Sequence, residues 1–377
     1  MLNYDAVLIY LWGHVSYFIK DFFLYLIILV CATGFSFVSI IKVYTSQASN
    51  TKKNTLLLLI FTILSFIYAY SFFEGYFRYR FDQSDSLGFL RVSERWISRH
   101  VVYNNYQYRD KNFTVDKEPG KIRIGVMGDS SGFGYGIKNV KNRFSDLLEN
   151  KLKSNGYNTE VYNFAVSGFD TEQEIKEYQR VKQFNFDILV WEYFLNDIEE
   201  ENKSAGTKVL KNAQAVPPGI ISFLSKYSFF FDYVYWRLDA RYEKTFIKIR
   251  NADMSQYNDP EIFKHHTDII DSFTHSLEND NKKIVTVILP FFYFFPQYPE
   301  AAVDIHKRMD KVFTDNGVFA VIDILDYVKG KNKQDLIVSP YDSHPNEYVN
   351  SIIADKLYDV IVQLISKTED GKTILKE

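Results

Sequence analysis

One cysteine, Cys31, stands among the 377 residues of the chain. That scarcity excludes an intrachain disulfide framework, a multi-cysteine zinc site and an iron–sulfur cluster. An excess of one charge is missing too: 44 Lys+Arg against 47 Asp+Glu leave a net of −3. This balance speaks against a nucleic-acid binder whose affinity rests on an overall basic surface. Internal repeats and low-complexity tracts are also lacking, and 46% apolar with 24% charged residues excludes a disordered or collagen-like chain. Aromatic residues, by contrast, are in surplus: 33 Phe, 28 Tyr and 4 Trp. Such a surplus points to contact with a lipid bilayer.

Its distribution agrees. Residues 22–41 (FFLYLIILVCATGFSFVSII) and 54–73 (NTLLLLIFTILSFIYAYSFF) carry no charge, and each has the 20 residues that a membrane crossing takes. Tyr68, Tyr70, Phe72 and Phe73 close the second run as an interfacial aromatic belt. A third apolar stretch, 6–19, is short for a crossing and is expected to lie in the interface. No basic n-region follows Met1 and a second span comes soon after, which disfavours a cleaved signal peptide. The linker between the two runs carries Lys42, Lys52 and Lys53 without an acid, which favours placing it in the cytoplasm.

Beyond the second run an aromatic, arginine-rich connector reaches to about residue 120, and then the pattern becomes regular. Near-continuous apolar runs at Ile122–Met127, Glu160–Ala165, Asp187–Tyr193, Ile284–Leu289 and Val318–Asp323 read as strands covered on both faces. Helical periodicity separates them: Phe144, Leu147, Leu148 and Leu152 form one stripe, and Val349, Ile352, Ile353, Leu357, Val360, Ile361 and Leu364 form the clearest one. Thr171 and Glu174 have capping-box spacing ahead of Ile175. The alternation predicts a three-layer α/β/α domain with a parallel sheet of flavodoxin-like type, preceded by two transmembrane helices. The expected organisation is an interfacial segment 1–21, a helical hairpin 22–73, a connector 74–120, a catalytic domain 121–366 and a tail 367–377. Within the domain, residues 200–260 break the alternation and read as a lid-like or membrane-lying insertion.

Chemistry gathers where strands end. Gly128-Asp129-Ser130-Ser131-Gly132 follows the first strand, where open α/β sheets place their ligands. It is neither a G-x-G-x-x-G dinucleotide fingerprint nor a phosphate loop ending in Gly-Lys-Ser/Thr. Gly168 follows the second strand and Asn196-Asp197 the third. Asp342-Ser343-His344-Pro345-Asn346 opens the last helix. His344 is set apart by that position; His265, His266, His275 and His306 read as solvated helix faces, and His14 lies in the N-terminal apolar stretch.

Taken in order, these four blocks resemble the SGNH hydrolase superfamily, also called GDSL esterases and lipases, over roughly residues 100–366. Upstream, Asn105-Tyr106-Gln107-Tyr108-Arg109-Asp110 looks like the Asn-x-x-Gly-x-Arg-Asp lead-in of membrane-linked members, with a Tyr beside the usual glycine position. The resemblance implies Ser130 as nucleophile, His344 as base and Asp342 as the acid that holds it. It further implies Ser130 and Gly168 backbone N–H groups and the Asn196 amide as oxyanion donors. Two departures stand out: Phe194 occupies the glycine position of the asparagine block, and the acid precedes the histidine by two residues rather than three. No metal and no cofactor are implied.

The resemblance allows three functions. The first is an esterase acting on O-acyl groups of a cell-envelope glycan or lipid through an acyl-serine. The second is an O-acyltransferase that passes the acyl group to a polysaccharide beside a membrane-bound O-acyltransferase partner. The third is a non-catalytic scaffold. Members of this kind are associated with a bacterial inner or cytoplasmic membrane, with the catalytic domain outside the cytoplasm, and none of the three readings involves nucleic acid.

Overall fold

The structure, a computed structural model, describes residues 4–198 and 217–369, and side chains from 25 to 366 within them. The interfacial placement expected of residues 1–21, most of the tail and the first part of the 200–260 insertion therefore concern side chains or segments outside the described residues. The chain divides into two compact units, one comprising residues up to Phe81 with Ser228–Phe230, the other comprising the remainder.

In the first unit, helix α1 (Tyr4–Thr45) runs without interruption through the 6–19 stretch into the first apolar run. Helix α2 (Asn50–Gly75) starts on a Ser49 N-cap whose hydroxyl accepts from Lys52 N–H, and it ends in a π-turn, Tyr76–Arg80. Tyr25–Thr45 and Asn50–Arg80 are long and apolar enough to cross a membrane, and nearly all of their apolar windows are exposed. Phe35, Phe61 and Phe66 project outward, which in water would be unfavourable and in hydrocarbon is not. At the end of α2, Glu74 accepts from Arg78, the Ser228 hydroxyl and the Phe229 and Phe230 N–H groups. One buried carboxylate thus straps a tripeptide from far along the chain to the helix terminus.

The second unit is built on five parallel strands, β1 (Ile122–Met127), β2 (Thr159–Asn163), β3 (Ile188–Phe194), β4 (Lys283–Leu289) and β5 (Ala320–Asp323), in the order β2-β1-β3-β4-β5. This is the flavodoxin-like order expected from the alternation. Helices α3 (Arg91–His100), α4 (Ser130–Phe133), α5 (Phe144–Ser154) and α6 (Thr171–Val181) precede β3. Helices α7 (Ile220–Tyr227), α8 (Phe229–Arg237), α9 (Arg241–Gln256) and α10 (Pro260–Asn279) fill the segment before β4. Helix α11 (Glu300–Asp315) links β4 to β5, and α12 (Glu347–Glu369) closes the described chain.

Alternate residues of each strand feed opposite layers. Trp191 and Tyr193 of β3 face α10 and α11, and the Trp191 ring meets Phe273 and Phe313 edge-on at 5.1 and 5.4 Å. On the other side α5 packs against α12, with Phe144, Leu148, Leu152, Val349, Ile353 and Leu357 all buried. Burying side chains of this size contributes about 1.5–3 kcal/mol each, which is why sequence periodicity and layer assignment coincide.

Several local expectations shift. The second strand starts at Thr159 and its last ladder pair is Asn163, beyond which the Phe164 and Val166 N–H groups still bond the Val126 and Gly128 carbonyls. The Asn163 side-chain amide donates to the Gly132 carbonyl and the Ser145 hydroxyl at 2.9 Å. The capping box of α6 sits one residue earlier than the Thr171/Glu174 spacing suggests: Asp170 caps Gln173 N–H, and the Gln173 side chain returns the bond. Glu174 is instead fully buried and accepts from Trp191 Nε1 at 2.6 Å. His266 and His306 are buried rather than solvated. His266 Nε2 meets the Tyr193 hydroxyl at 2.9 Å, and burial pushes its pKa down to about 3, so it stays neutral. His306 lies between the Tyr298 hydroxyl and the Asp323 carboxylate.

Candidate active site

Strand β1 ends at Met127, and the chain turns at once into α4, so Ser130 stands in its first turn. Asp129 makes the turn: its Oδ1 accepts from Ser131 N–H at 2.7 Å, and its Oδ2 lies 3.2 Å from the Ser130 hydroxyl. Below the turn lies Glu192 of β3, fully buried, whose Oε2 accepts the N–H groups of Asp129 and Gly132 at 3.1 and 3.0 Å. The same carboxyl explains the glycine of Gly-Asp-Ser. A Cβ on Gly128 would stand 2.4 Å from Glu192 Oε2 and 2.8 Å from its Cβ. Burial, followed by the charges of Asp129 and Asp197, holds the Glu192 carboxyl well above the ordinary 4.5. Glu174 and Asp197 beside it are raised by the same desolvation.

The histidine arrives on a ribbon separate from the main sheet. Strand β6 (Ile337–Ser339) pairs antiparallel with β7 (Asp342–Pro345), so His344 lies on a strand rather than at a helix entry. Residues two apart on a strand share a face. The short Asp-x-His spacing is therefore sufficient: Asp342 Oδ1 is 2.5 Å from His344 Nδ1, and His344 Nε2 is 2.7 Å from Ser130 Oγ. Burial alone would raise the fully buried Asp342 carboxyl, but the His344 charge and hydrogen bonds outweigh it and hold it below 3.8.

Ser86, from the connector, is a participant that no local pattern announces. Its hydroxyl donates to Asp342 Oδ1 at 3.2 Å and accepts from Ser343 N–H at 2.7 Å, while its own N–H bonds the Tyr341 carbonyl at 3.0 Å. Nearby Asp85 is buried, accepts from the N–H groups of Leu87 and Leu90, and is pushed up to about 6 by desolvation. The lead-in motif also acquires a role and a corrected register. Counting back from Arg109-Asp110, its asparagine falls on Asn104 and its glycine on Gln107, which has φ 70°. Asn104 Oδ1 accepts from Tyr106 and Tyr108 N–H, and Arg109 donates to the carbonyls of Gly134 and Ile137 at 2.6 Å each, bracing the chain that follows Ser130.

Ser130, Gly168, Asn196 and His344 all line one cleft of about 450 Å³ at the carboxyl edge of the sheet. It lies over the β1/β3 switch point, where this topology opens a crevice. Gly168 has φ 87° with open space where a Cβ would project, so its N–H is presented by a backbone that other residues rarely adopt. Asn196 enters the cleft with its amide oxygen unbonded. Phe194 stands against Phe291 at 5.1 Å, an apolar wall where the resemblance leads one to expect glycine. Among the described residues, no group of three or more His, Cys, Asp or Glu could hold a metal.

No family model matches the chain, and no curated protein does. Solved structures give distant likenesses. Esterase EstA from Pseudoalteromonas sp. is 13% identical with TM-score 0.37, covering 65% of this chain and 98% of that one. A member of the lipolytic protein G-D-S-L family from Veillonella parvula is 10% identical with TM-score 0.35, covering 64% and 98%. An acetyl-xylooligosaccharide esterase variant from a Geobacillus is 11% identical with TM-score 0.40, covering 70% and 100%.

Proposed function

We propose that this chain is a membrane-anchored serine esterase of the SGNH type, acting on O-acyl groups of a cell-envelope glycan or lipid. The observation that supports it most is the unbroken hydrogen-bond chain from Asp342 through His344 to Ser130. In this reading Ser130 Oγ attacks the ester carbonyl while His344 Nε2 takes its proton, forming the acyl-serine. The proton passes to the departing alcohol, and a water activated by the same imidazole then releases the acid. Asp342 fixes the tautomer and stabilises the imidazolium. The Ser130 and Gly168 N–H groups and the Asn196 amide receive the charge on the tetrahedral oxygen.

The full-length protein in detergent is expected to be labelled by a fluorophosphonate and to cleave p-nitrophenyl acetate. Ser130→Ala should lose both while melting at nearly the same temperature, since it removes one half-buried hydroxyl that faces the cleft and leaves the backbone of the turn unchanged. Full activity in Ser130→Ala would end the assignment. Adding an oligosaccharide acceptor separates hydrolysis from transfer: acyl-oligosaccharide appearing in place of free acid would establish the acyltransferase reading.

The reading also places the catalytic unit outside the cytoplasm of a bacterial inner or cytoplasmic membrane. It is supported by the two exposed apolar helices and the lysines between them. Protease added to intact spheroplasts should digest residues 75–377; protection until lysis would reverse the orientation.

A further inference from the structure

Helix α9 puts into the cleft wall a charge that the triad does not use. Arg250 is the one fixed cation among the described residues lining the cleft. Its guanidinium centre lies 5.7, 5.2 and 5.5 Å from the ring centroids of Phe194, Phe246 and Phe291. Nη1 donates to Asp253 Oδ2 at 2.8 Å, and Nε is buried without an acceptor. Rings on its faces and one carboxylate on Nη1 leave Nε without an acceptor, on the edge it shares with Nη2. That edge carries two parallel N–H groups, spaced for the two oxygens of a carboxylate. A guanidinium largely withdrawn from water with its Nε–H unanswered is unfavourable, and a ligand that answers it recovers that cost. Two other cleft carboxyls do not compete for it, because Asp85 and Asp129 accept backbone N–H groups. The Phe194 that replaces the expected glycine is one of the three rings holding the guanidinium.

We propose that Arg250 anchors a carboxylate of the substrate, so that the ester presented to Ser130 belongs to an acidic glycan unit. The proposal rests on the esterase reading, yet binding tests it independently. Full-length Ser130→Ala protein in detergent is titrated calorimetrically with trigalacturonate and with the neutral galactose trisaccharide. The acidic sugar should bind at least tenfold more tightly, with the difference lost on adding Arg250→Gln and partly kept with Arg250→Lys. With the Ser130 protein, the ratio of kcat/KM for O-acetylated methyl galacturonate over the O-acetylated methyl galactoside should fall ten- to hundredfold in Arg250→Gln. Arg250→Met, which keeps the stem between the rings, gives the same reading if Arg250→Gln melts early. Equal binding of the two sugars, or a preference surviving all three substitutions, overturns the proposal. Tighter binding of a galactose phosphate than of galacturonate overturns the carboxylate assignment. Failure of the esterase reading looks different: galacturonate binds, but no fluorophosphonate attaches to Ser130.

Discussion

Glu192 is the residue whose substitution best tests what holds the turn that carries Ser130. Its Oε2 is the acceptor for two buried N–H groups, Asp129 and Gly132, and the carboxyl is raised well above 4.5 by burial. Glu192→Ala removes the acceptor and leaves both donors unanswered. At about 1–3 kcal/mol for each stranded group, the loss comes to about 2–6 kcal/mol, before any void is counted. For a unit of this size that corresponds to roughly 2 °C for each kcal/mol, so the melt should come about 4–12 °C earlier. Glu192→Gln retains an acceptor oxygen and carries no ionisable proton. At pH 5 it should melt close to the wild type. The sign of the pH dependence follows from the raised pKa. A carboxyl that is harder to ionise when folded contributes fully below its ordinary value and progressively less as pH rises. Glu192→Gln lacks that loss, so its advantage over the wild type should grow from pH 5 to pH 9. Thermal melts of the detergent-solubilised proteins across that range provide the check. A Glu192→Gln protein as unstable as Glu192→Ala at pH 5, or an advantage that does not change with pH, refutes the reasoning.

Asp342→Asn should lower kcat on p-nitrophenyl acetate by about 10⁴, comparable with His344→Ala, because it misdirects the imidazole tautomer; a loss below tenfold would show that the 2.5 Å contact does not set the tautomer. Ser86→Ala removes one bond to the acid worth about 0.5–1.5 kcal/mol, so kcat should fall about two- to tenfold with KM unchanged. A KM change alone would mean that Ser86 touches substrate instead. Asn196→Ala should lower kcat by about 10²–10³ if its amide stabilises the oxyanion, read on the same ester.

The sheet was legible because strands buried on both faces are mostly apolar, and the site blocks because three follow a strand and the fourth, itself on β7, comes just before the last helix. Strand ends were less so, since Phe164 and Ala165 stay apolar and buried beyond the last ladder pair at Asn163. Glu192 was invisible for a related reason. A charge inside Ile-Leu-Val-Trp-Glu-Tyr-Phe resembles a solvent-facing position until tertiary structure puts the Gly132 N–H against it. Ser86 is 256 positions from Asp342, so no local pattern joins them. His266 and His306 fit a helix face equally well wet or dry; the Tyr193 and Tyr298 hydroxyls waiting beneath decide the matter. Arg250 sits in a segment where periodicity lapses, and only packing reveals its three rings.

The β6–β7 ribbon has a consequence for how the molecule can be divided. Asp342 and His344 are neighbours on one short strand, so their spacing is local, while the Ser86 hydroxyl, 256 positions away, holds the carboxylate from outside the ribbon. Two long-range contacts complete the arrangement, Ser86 on Asp342 and His344 on Ser130, the second between residues 214 positions apart. A chain cut in the turn after α11, near Gly317, leaves Ser86, Ser130, Gly168 and Asn196 on one fragment and Asp342 and His344 on the other. Docking of α12 against α5 is then the event that restores the proton path. A single residue inserted between Asp342 and His344 would instead turn the carboxylate to the opposite face of the strand, leaving both catalytic groups present and disconnected.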